Sequence, residues 1–211
     1  MKRQLPKIRW TCRTNGSPLH FDNWLAESNL RDMANGDEDT SAATQPGDFR
    51  DLAELSAAFD PNPSVGEIRL LSAEFSSQPE RPVYVAILKH WEGDGMVTAV
   101  FSSYSAPALS TELQFPARPH SLRTLCLWHH YVLPPEVLAK SWLVDRLSDL
   151  ELSDAWQVFR HAFTDAPLPA TLAKRVGTRI TSDSDPRIAY QCAEFSLLQP
   201  LALAAEVAEE A

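Results

Sequence analysis

Arg81 is the residue whose type and position point most directly to chemistry. It stands immediately before Pro82 and a run of apolar and β-branched residues, in the stretch ERPVYVAIL at 80–88. An arginine at the mouth of a buried strand has three interpretations. It is a solvated charge, the partner of a structural ion pair, or a phosphate-binding group, because a guanidinium contacts phosphoryl oxygens through paired hydrogen bonds.

The adjacent histidines His129 and His130 form the second candidate. On a strand, neighbouring side chains point to opposite faces, so the two imidazoles cannot share one metal ion. Each is more simply a packed or surface histidine, and in a functional interpretation one of them serves as a general base near neutral pH. Because no Cys or Cys/His spacing typical of zinc occurs either, we predict no metal and no other cofactor.

Six tryptophans are numerous for 211 residues. Trp142 and Trp156 are predicted to lie in the core. Trp10 and Trp24 belong to an N-terminal region that has few apolar neighbours. Because tryptophan is enriched at protein interfaces, we predict that these two dock on the rest of the chain or on a partner.

The formal net charge of -9 bears on the class of partner. Proteins that grip nucleic-acid backbones usually present a basic face, so an acidic excess spread along the chain argues against broad nucleic-acid binding. No stretch approaches the roughly 20 apolar residues of a membrane span. The basic N-terminus lacks the apolar run of a secretory signal, and the three cysteines are far apart. We therefore predict a cytoplasmic protein with no membrane contact.

The chain divides into three predicted segments. Residues 1–63 form a helical extension with a polar linker at 35–47, and the helical pattern at 48–63 carries Phe59 on its apolar face. Residues 64–164 hold regularly spaced short strands, which are typical of a small barrel. Residues 165–211 form a helical C-terminal extension, with a short helix opened by Pro169 and ended by Gly177, and a last helix opened by Asp185 and Pro186.

Two local patterns in the central segment are especially clear. The stretch PVYVAILKHWEGDGMVTAVF at 82–101 alternates along an apolar run, turns at EGDG and continues apolar, which predicts a hairpin. Ser148 and Glu151 form a capping box for a helix that follows Leu147. Apolar residues then recur at helical spacing, so one face of this helix is predicted to be core.

Six motifs in order give the central segment a resemblance to a known family. They are GEIRLL, RPVYVAIL, TAVFSSY, LSTELQF, LCLWHHYVL and DRLSDLELSDAWQVF, within 66–163. This order resembles the MazF/PemK family of toxin ribonucleases. The resemblance implies an α+β fold: a small SH3-like β-barrel with a C-terminal amphipathic helix, often dimeric, here with helical extensions at both ends.

The resemblance also implies a site. Family members cleave single-stranded RNA without a metal, by attack of the ribose 2′-OH on the adjacent phosphate. Arg81 matches the family arginine, which offsets charge on the phosphoryl oxygens. Ser102 falls on the family Thr/Ser position, and Ser103 is one residue further on. In a nuclease, these three residues are the predicted catalytic group.

The departures from the family pattern concern the RNA groove. Trp128 and His129 stand where the family has Glu-Gln, and Tyr131 stands where it has a second arginine. Bulky aromatic groups would thus replace part of the polar lining. We predict that these three residues contact a protein partner, together with Trp10 and Trp24.

Two functional hypotheses follow. The favoured one is a MazF-like regulatory module with a silent or weakened nuclease that binds proteins. Altered proteins of this type resemble accessory components of CRISPR-linked phage-defence systems, which implies a sigma factor or a protease substrate as the partner. The alternative is a metal-independent endoribonuclease, as in toxin–antitoxin pairs, and only in that case is RNA the partner.

Overall fold

The computed structural model describes residues 58–78, 81–91, 95–102, 104–164 and 166–201. These residues form an α+β fold, as the sequence predicted. Its strands are β1 (Ala58–Phe59), β2 (Glu67–Leu70), β3 (Tyr84–His90), β4 (Met96–Phe101), β5 (Glu112–Gln114), β6 (Thr124–Leu133) and β7 (Trp142–Arg146). Its α-helices are α1 (Pro135–Leu138), α2 (Asp149–Thr164), α3 (Ala170–Ala173) and α4 (Arg187–Leu197).

All seven strands belong to one antiparallel sheet with the order β1-β7-β2-β3-β4-β6-β5. The order is linear, so β1 and β5 are the edge strands of the described sheet. The predicted hairpin is confirmed, because β3 and β4 pair directly from Val85↔Val100 to His90↔Met96. The division of the chain at 63/64 and 164/165 stays a prediction.

The central strands are apolar in continuous runs because both faces of the sheet are covered. On one face, Ala86, Leu88 and Val97 pack in a core with Val158 and Phe159 of α2. On the other face, a second core joins residues of β3, β4 and β6 to the last described residues of the C-terminal segment. Its buried members include Val85, Ile87, Val100, Leu197, Leu198 and Leu201.

A large irregularity in β6 determines where its aromatic residues lie. Cys126 pairs with Val100 of β4, but the next β4 residue, Ala99, pairs with His130. Three residues of β6, from Leu127 to His129, therefore lie opposite a single step of the neighbouring strand. Such bulges bend a strand and redirect its side chains. In this bulge the rings of Trp128 and His129 stack in parallel, with their centroids 4.8 Å apart.

Two sequence predictions about β1 and β7 are wrong. Phe59 was placed on a helix, but Ala58 and Phe59 form a strand that pairs with Leu143 and Trp142. Backbone pairing with a distant strand overrides the local helical pattern at this point. Trp142 was placed in the core, but it lies near the sheet edge and is 39% exposed.

Several predictions fall outside the described residues. They concern Trp10, Trp24, Ser103, the linker at 35–47 and the helical pattern before residue 58. Within the described part of the chain, the helices are too short or too polar to cross a bilayer.

The capping box of α2 is confirmed and is extended by an arginine. The Ser148 backbone N–H donates to Glu151 Oε2 at 2.8 Å, and the Glu151 N–H donates to Ser148 Oγ at 3.3 Å. Arg118 donates to both Glu151 oxygens at 2.7 and 2.8 Å, to Asp145 of β7, and to the Arg146 carbonyl. Burial raises the pKa of Glu151, but the hydrogen bonds from Arg118 and Ser148 outweigh it and lower this pKa to about 2.

We predict that Arg118→Ala lowers the free energy of unfolding by about 1–3 kcal/mol, because it removes hydrogen bonds to two carboxylates. The stabilisation from Glu151 is complete above its ordinary pKa of 4.5 and is lost as the pH falls toward 2. Urea unfolding between pH 7 and pH 3 should therefore show a weaker acid dependence in the variant.

Lys140→Ala is the control, since its ion pair with Glu74 is exposed on both sides and contributes no more than about 0.5 kcal/mol. Equal effects of the two substitutions would contradict the role assigned to Arg118.

Candidate functional site

The predicted site residues that the structure describes lie together beneath α4. We call this surface the covered face and define it by Arg81, Ser102, Trp128, His129 and Tyr131. The first four each contact a residue of α4, and Tyr131 contacts His129. Arg81 precedes β3, Ser102 directly follows β4, and the other three belong to β6. Residues beside the ends of β3 and β4 and residues of β6 thus form one surface.

Arg81 is engaged in an intramolecular ion pair. Its Nη2 donates to Glu194 Oε1 of α4 at 2.7 Å. The Arg81 side chain is 29% exposed, whereas the Glu194 side chain is 6% exposed. The guanidinium therefore already holds a carboxylate, which is the ion-pair interpretation that the sequence left open.

Ser102 is also engaged by α4. Its Oγ lies 2.8 Å from the Tyr190 hydroxyl oxygen and accepts a 3.0 Å hydrogen bond from the Tyr104 backbone N–H. The side chain is buried, at 2% exposure. Ser102 and Arg81 contact residues four positions apart on one helix, a rise of about 6 Å, so they lie close together on the covered face.

The aromatic residues of β6 form a stacked and hydrogen-bonded group. Beside the Trp128–His129 stack, His129 Nε2 lies 2.7 Å from the Tyr131 hydroxyl. Burial lowers the pKa of His129 to about 3 and raises the pKa of Tyr131. His129 is therefore neutral at physiological pH. His130 points to the other side and packs edge-on against Phe159 and Phe163, so the two histidines are separated as the strand alternation predicted.

The sequence analysis missed Glu112, a carboxylate buried beneath this group. Its Oε2 accepts hydrogen bonds from the backbone N–H groups of Ala108 and Leu109 at 2.6 and 3.2 Å. Its Oε1 accepts from Trp128 Nε1 at 2.8 Å. Burial raises the pKa of Glu112, and these donors oppose the shift. The feature of the sequence that could have revealed this buried carboxylate is a glutamate within the apolar pattern of a short strand.

The sequence analysis also missed that the C-terminal segment docks on the loop that holds Glu112. Gly177 donates its N–H to the Leu109 carbonyl at 3.0 Å, and Arg187 Nη1 donates to the Ala108 carbonyl at 2.9 Å. The backbones approach so closely that a Cβ on Gly177 would lie 2.4 Å from the Ala108 carbonyl carbon. Only glycine fits here, and α3 has already ended at Ala173, so Gly177 serves as a docking point and not as the helix end that was predicted.

The arrangement favours packing over acid–base chemistry. The guanidinium of Arg81 holds a carboxylate, the Ser102 hydroxyl contacts a phenol, and the His129 imidazole is neutral and hydrogen-bonded. Over the described ranges, no three His, Cys, Asp or Glu side chains converge to hold a metal ion. The covered face therefore contacts α4 through one ion pair, one hydroxyl contact and two ring contacts, edge-on between Trp128 and Tyr190 and tilted between His129 and Phe195.

Comparison of the chain with family models, with curated proteins and with solved structures found no match.

We predict that acid destabilises the fold partly through His129. Its pKa is about 3 in the fold and ordinarily 6.5, so the unfolded chain binds the proton more tightly. The contribution of neutral His129 to the free energy of unfolding is fully present above pH 6.5. As the pH decreases from 6.5, the free energy of unfolding decreases by up to about 1.4 kcal/mol per pH unit. His129→Gln, which keeps a polar partner for Tyr131, should flatten the dependence measured by urea unfolding between pH 7 and 4.5.

His90→Gln serves as the control because His90 is exposed at the end of β3. If the stability of the His129→Gln chain changed with pH as that of the unaltered protein does, His129 would not be a source of the acid dependence.

We predict that Gly177→Ala lowers the free energy of unfolding by about 1–3 kcal/mol, because the added methyl group forces two backbones apart. Amide hydrogen exchange at Gly177 and Thr178 should accelerate as the segment loosens. Ser184→Ala, a change on the exposed stretch before α4, should alter neither quantity. Unchanged exchange in Gly177→Ala would contradict this docking point.

Proposed function

We propose that this protein is a regulatory module that binds other proteins and that has a silenced MazF-like nuclease site. One observation carries the proposal: α4 occupies the face on which the predicted catalytic residues lie. Glu194 holds Arg81 at 2.7 Å, and Tyr190 contacts Ser102 at 2.8 Å. An RNA phosphate would have to displace both groups before it contacted the Arg81 guanidinium and the Ser102 hydroxyl together.

The character of the covered face supports the same proposal. Where an RNA groove needs cations, this surface has Trp128, His129 and Tyr131, all buried. Beneath them lies Glu112, a fully buried side chain that offers no cation to a phosphate. The chain as a whole carries a net charge of -9. Aromatic surfaces with few exposed charges suit protein contacts better than phosphate contacts.

The architecture that we propose for the module is a MazF/PemK-like variant of the SH3-like barrel. The supporting observation is that register shifts interrupt three strand pairs, β2–β7, β3–β4 and β4–β6. Such irregularities increase twist and curl a sheet. Within the described strands, β1 and β5 remain edges, so in this proposal the curl is incomplete.

The proposed partner is a sigma factor or a protease substrate in a CRISPR-linked defence complex. The sequence resemblance is the basis of this choice. A binding module of this kind needs no cofactor, and the proposed setting is cytoplasmic. The resemblance also implies a homodimer, which a measurement of the mass in solution tests.

The second candidate is a metal-independent endoribonuclease that α4 keeps closed. The observation in its favour is that Arg81 and Ser102 contact the same helix one turn apart, so the two predicted groups are neighbours. In this alternative, displacement of α4 frees both for a phosphodiester. The two candidates differ in whether opening the helix creates cleavage.

We predict that the purified chain leaves a long single-stranded RNA intact in EDTA. Glu194→Ala, which frees the Arg81 guanidinium, should leave the RNA intact as well. Gel electrophoresis after incubation measures both results. Cleavage by the Glu194→Ala chain that disappears in the Arg81→Ala/Glu194→Ala double variant would reject the regulatory proposal and establish the nuclease. Arg179→Ala, at an exposed position, is the matched arginine control.

The partner is tested by affinity purification with the tagged full chain. Recovery of a sigma factor or a protease substrate, in a complex that reforms from purified components, is the expected result. A chain that cleaves RNA and forms no such complex would contradict the proposal.

A further inference from the structure

Cys192, in the middle of α4, takes part in a disulfide bond. The chain has three cysteines, at positions 12, 126 and 192. Cys126 is a free thiol, buried at 1% exposure beside Glu112. Cys12 is therefore the other cysteine of the chain that can supply the second sulfur. It lies outside the described residues, so this assignment follows from the count of cysteines in the sequence.

Cys192 belongs to a stripe of half-buried side chains on α4. Ile188, Cys192 and Phe195 recur at positions i, i+4 and i+7, so they lie on one side of the helix, and each is half-buried. Tyr190 and Glu194 lie on a different side, which carries the contacts to the covered face. The disulfide therefore forms while α4 stays in place. We call these three residues the half-buried stripe.

The sequence beside Cys12 supplies a large apolar side chain for the half-buried stripe. Trp10 precedes Cys12 by two residues. Bonded cysteines have Cα atoms about 6 Å apart, and two residues of extended chain span at most about 7 Å. A bond between Cys12 and Cys192 thus keeps Trp10 within about 13 Å of Cys192. The half-buried stripe is about 10 Å long, so the indole of Trp10 is within reach of it.

We infer that Cys12 and Cys192 form a redox-sensitive tether, which holds the segment around Trp10 against the half-buried stripe when it is oxidised and releases the segment when it is reduced. This inference goes beyond the proposed function and does not depend on it. Disulfides in the cytoplasm are usually transient and redox-sensing, so a reversible bond agrees with the setting proposed above. Oxidation is expected at half-buried Cys192 and not at buried Cys126.

The bond forms by thiol–disulfide exchange with a small disulfide such as oxidised glutathione. One protein thiolate attacks a glutathione sulfur, which forms a mixed disulfide and releases one glutathione thiolate. The second protein thiolate then attacks the protein sulfur of the mixed disulfide and releases the other glutathione thiolate. The protons of the two cysteine thiols pass to the released glutathione, and the two electrons of the cysteines reduce the glutathione disulfide.

The test equilibrates the full chain in buffers with different ratios of reduced to oxidised glutathione. Free thiols are then blocked with N-ethylmaleimide under denaturing conditions, and intact mass and peptide mapping without reduction identify the products. The expected product has lost two hydrogen atoms, keeps a thiol at Cys126, and yields two peptides joined through Cys12 and Cys192. Excess dithiothreitol should restore all the thiols.

Three outcomes would overturn the inference. They are free thiols at all three cysteines at every glutathione ratio, a covalent dimer joined through Cys192, and a Cys192 that ends as a mixed disulfide with glutathione. None of these measurements involves RNA or a protein partner, so a failure of the proposed function leaves the inference standing, and the reverse also holds.

A pair of variants tests the packing of the tethered segment. The equilibrium with glutathione gives the effective concentration of one protein thiol at the other. Ile188→Ser should lower this effective concentration roughly fivefold, because it removes apolar surface from the half-buried stripe. Ala193→Ser, at an exposed position of α4, is the matched control and should leave it unchanged. Equal values for Ile188→Ser and the unaltered chain would show that the segment is not held against the half-buried stripe.

Discussion

The complete burial of the Glu112 carboxylate is the constraint around which this surface is organised. A buried carboxylate needs hydrogen-bond donors, and the described residues supply neutral ones: two backbone N–H groups and the Trp128 indole. This requirement fixes the loop at Ala108 and Leu109 and the bulged part of β6. The same loop then receives Gly177 and Arg187, which bring the C-terminal segment onto the sheet.

The position of α4 follows from that attachment and explains the state of the predicted catalytic residues. Once the C-terminal segment is held at residues 108–109, α4 contacts Arg81, which precedes β3, and Ser102, which follows β4. Arg81 and Ser102 then satisfy their polar groups with Glu194 and Tyr190. A guanidinium and a hydroxyl in an uncovered groove would be ready for a phosphate. Here they form the contact surface for a helix.

Features whose determinants lie close together in the sequence were predicted correctly, and features that depend on residues far apart in the sequence were not. The β3–β4 hairpin and the capping box of Ser148 and Glu151 were predicted correctly because their determinants lie within a few residues. The strand at Phe59, the exposure of Trp142 and the docking at Gly177 depend on residues far along the chain, so local periodicity misplaced them. The pairing of Arg81 with Glu194 joins positions 113 apart, and no spacing rule reveals it.

A double-mutant cycle on Arg81 and Glu194 tests the central claim that α4 rests on the covered face. The free energy of unfolding is measured for the unaltered chain, Arg81→Ala, Glu194→Gln and the double variant. Because the pair is partly exposed, the account predicts a coupling energy of about 0.5–1.5 kcal/mol. Single effects that add to within about 0.3 kcal/mol would show that the two side chains do not interact and would contradict the account.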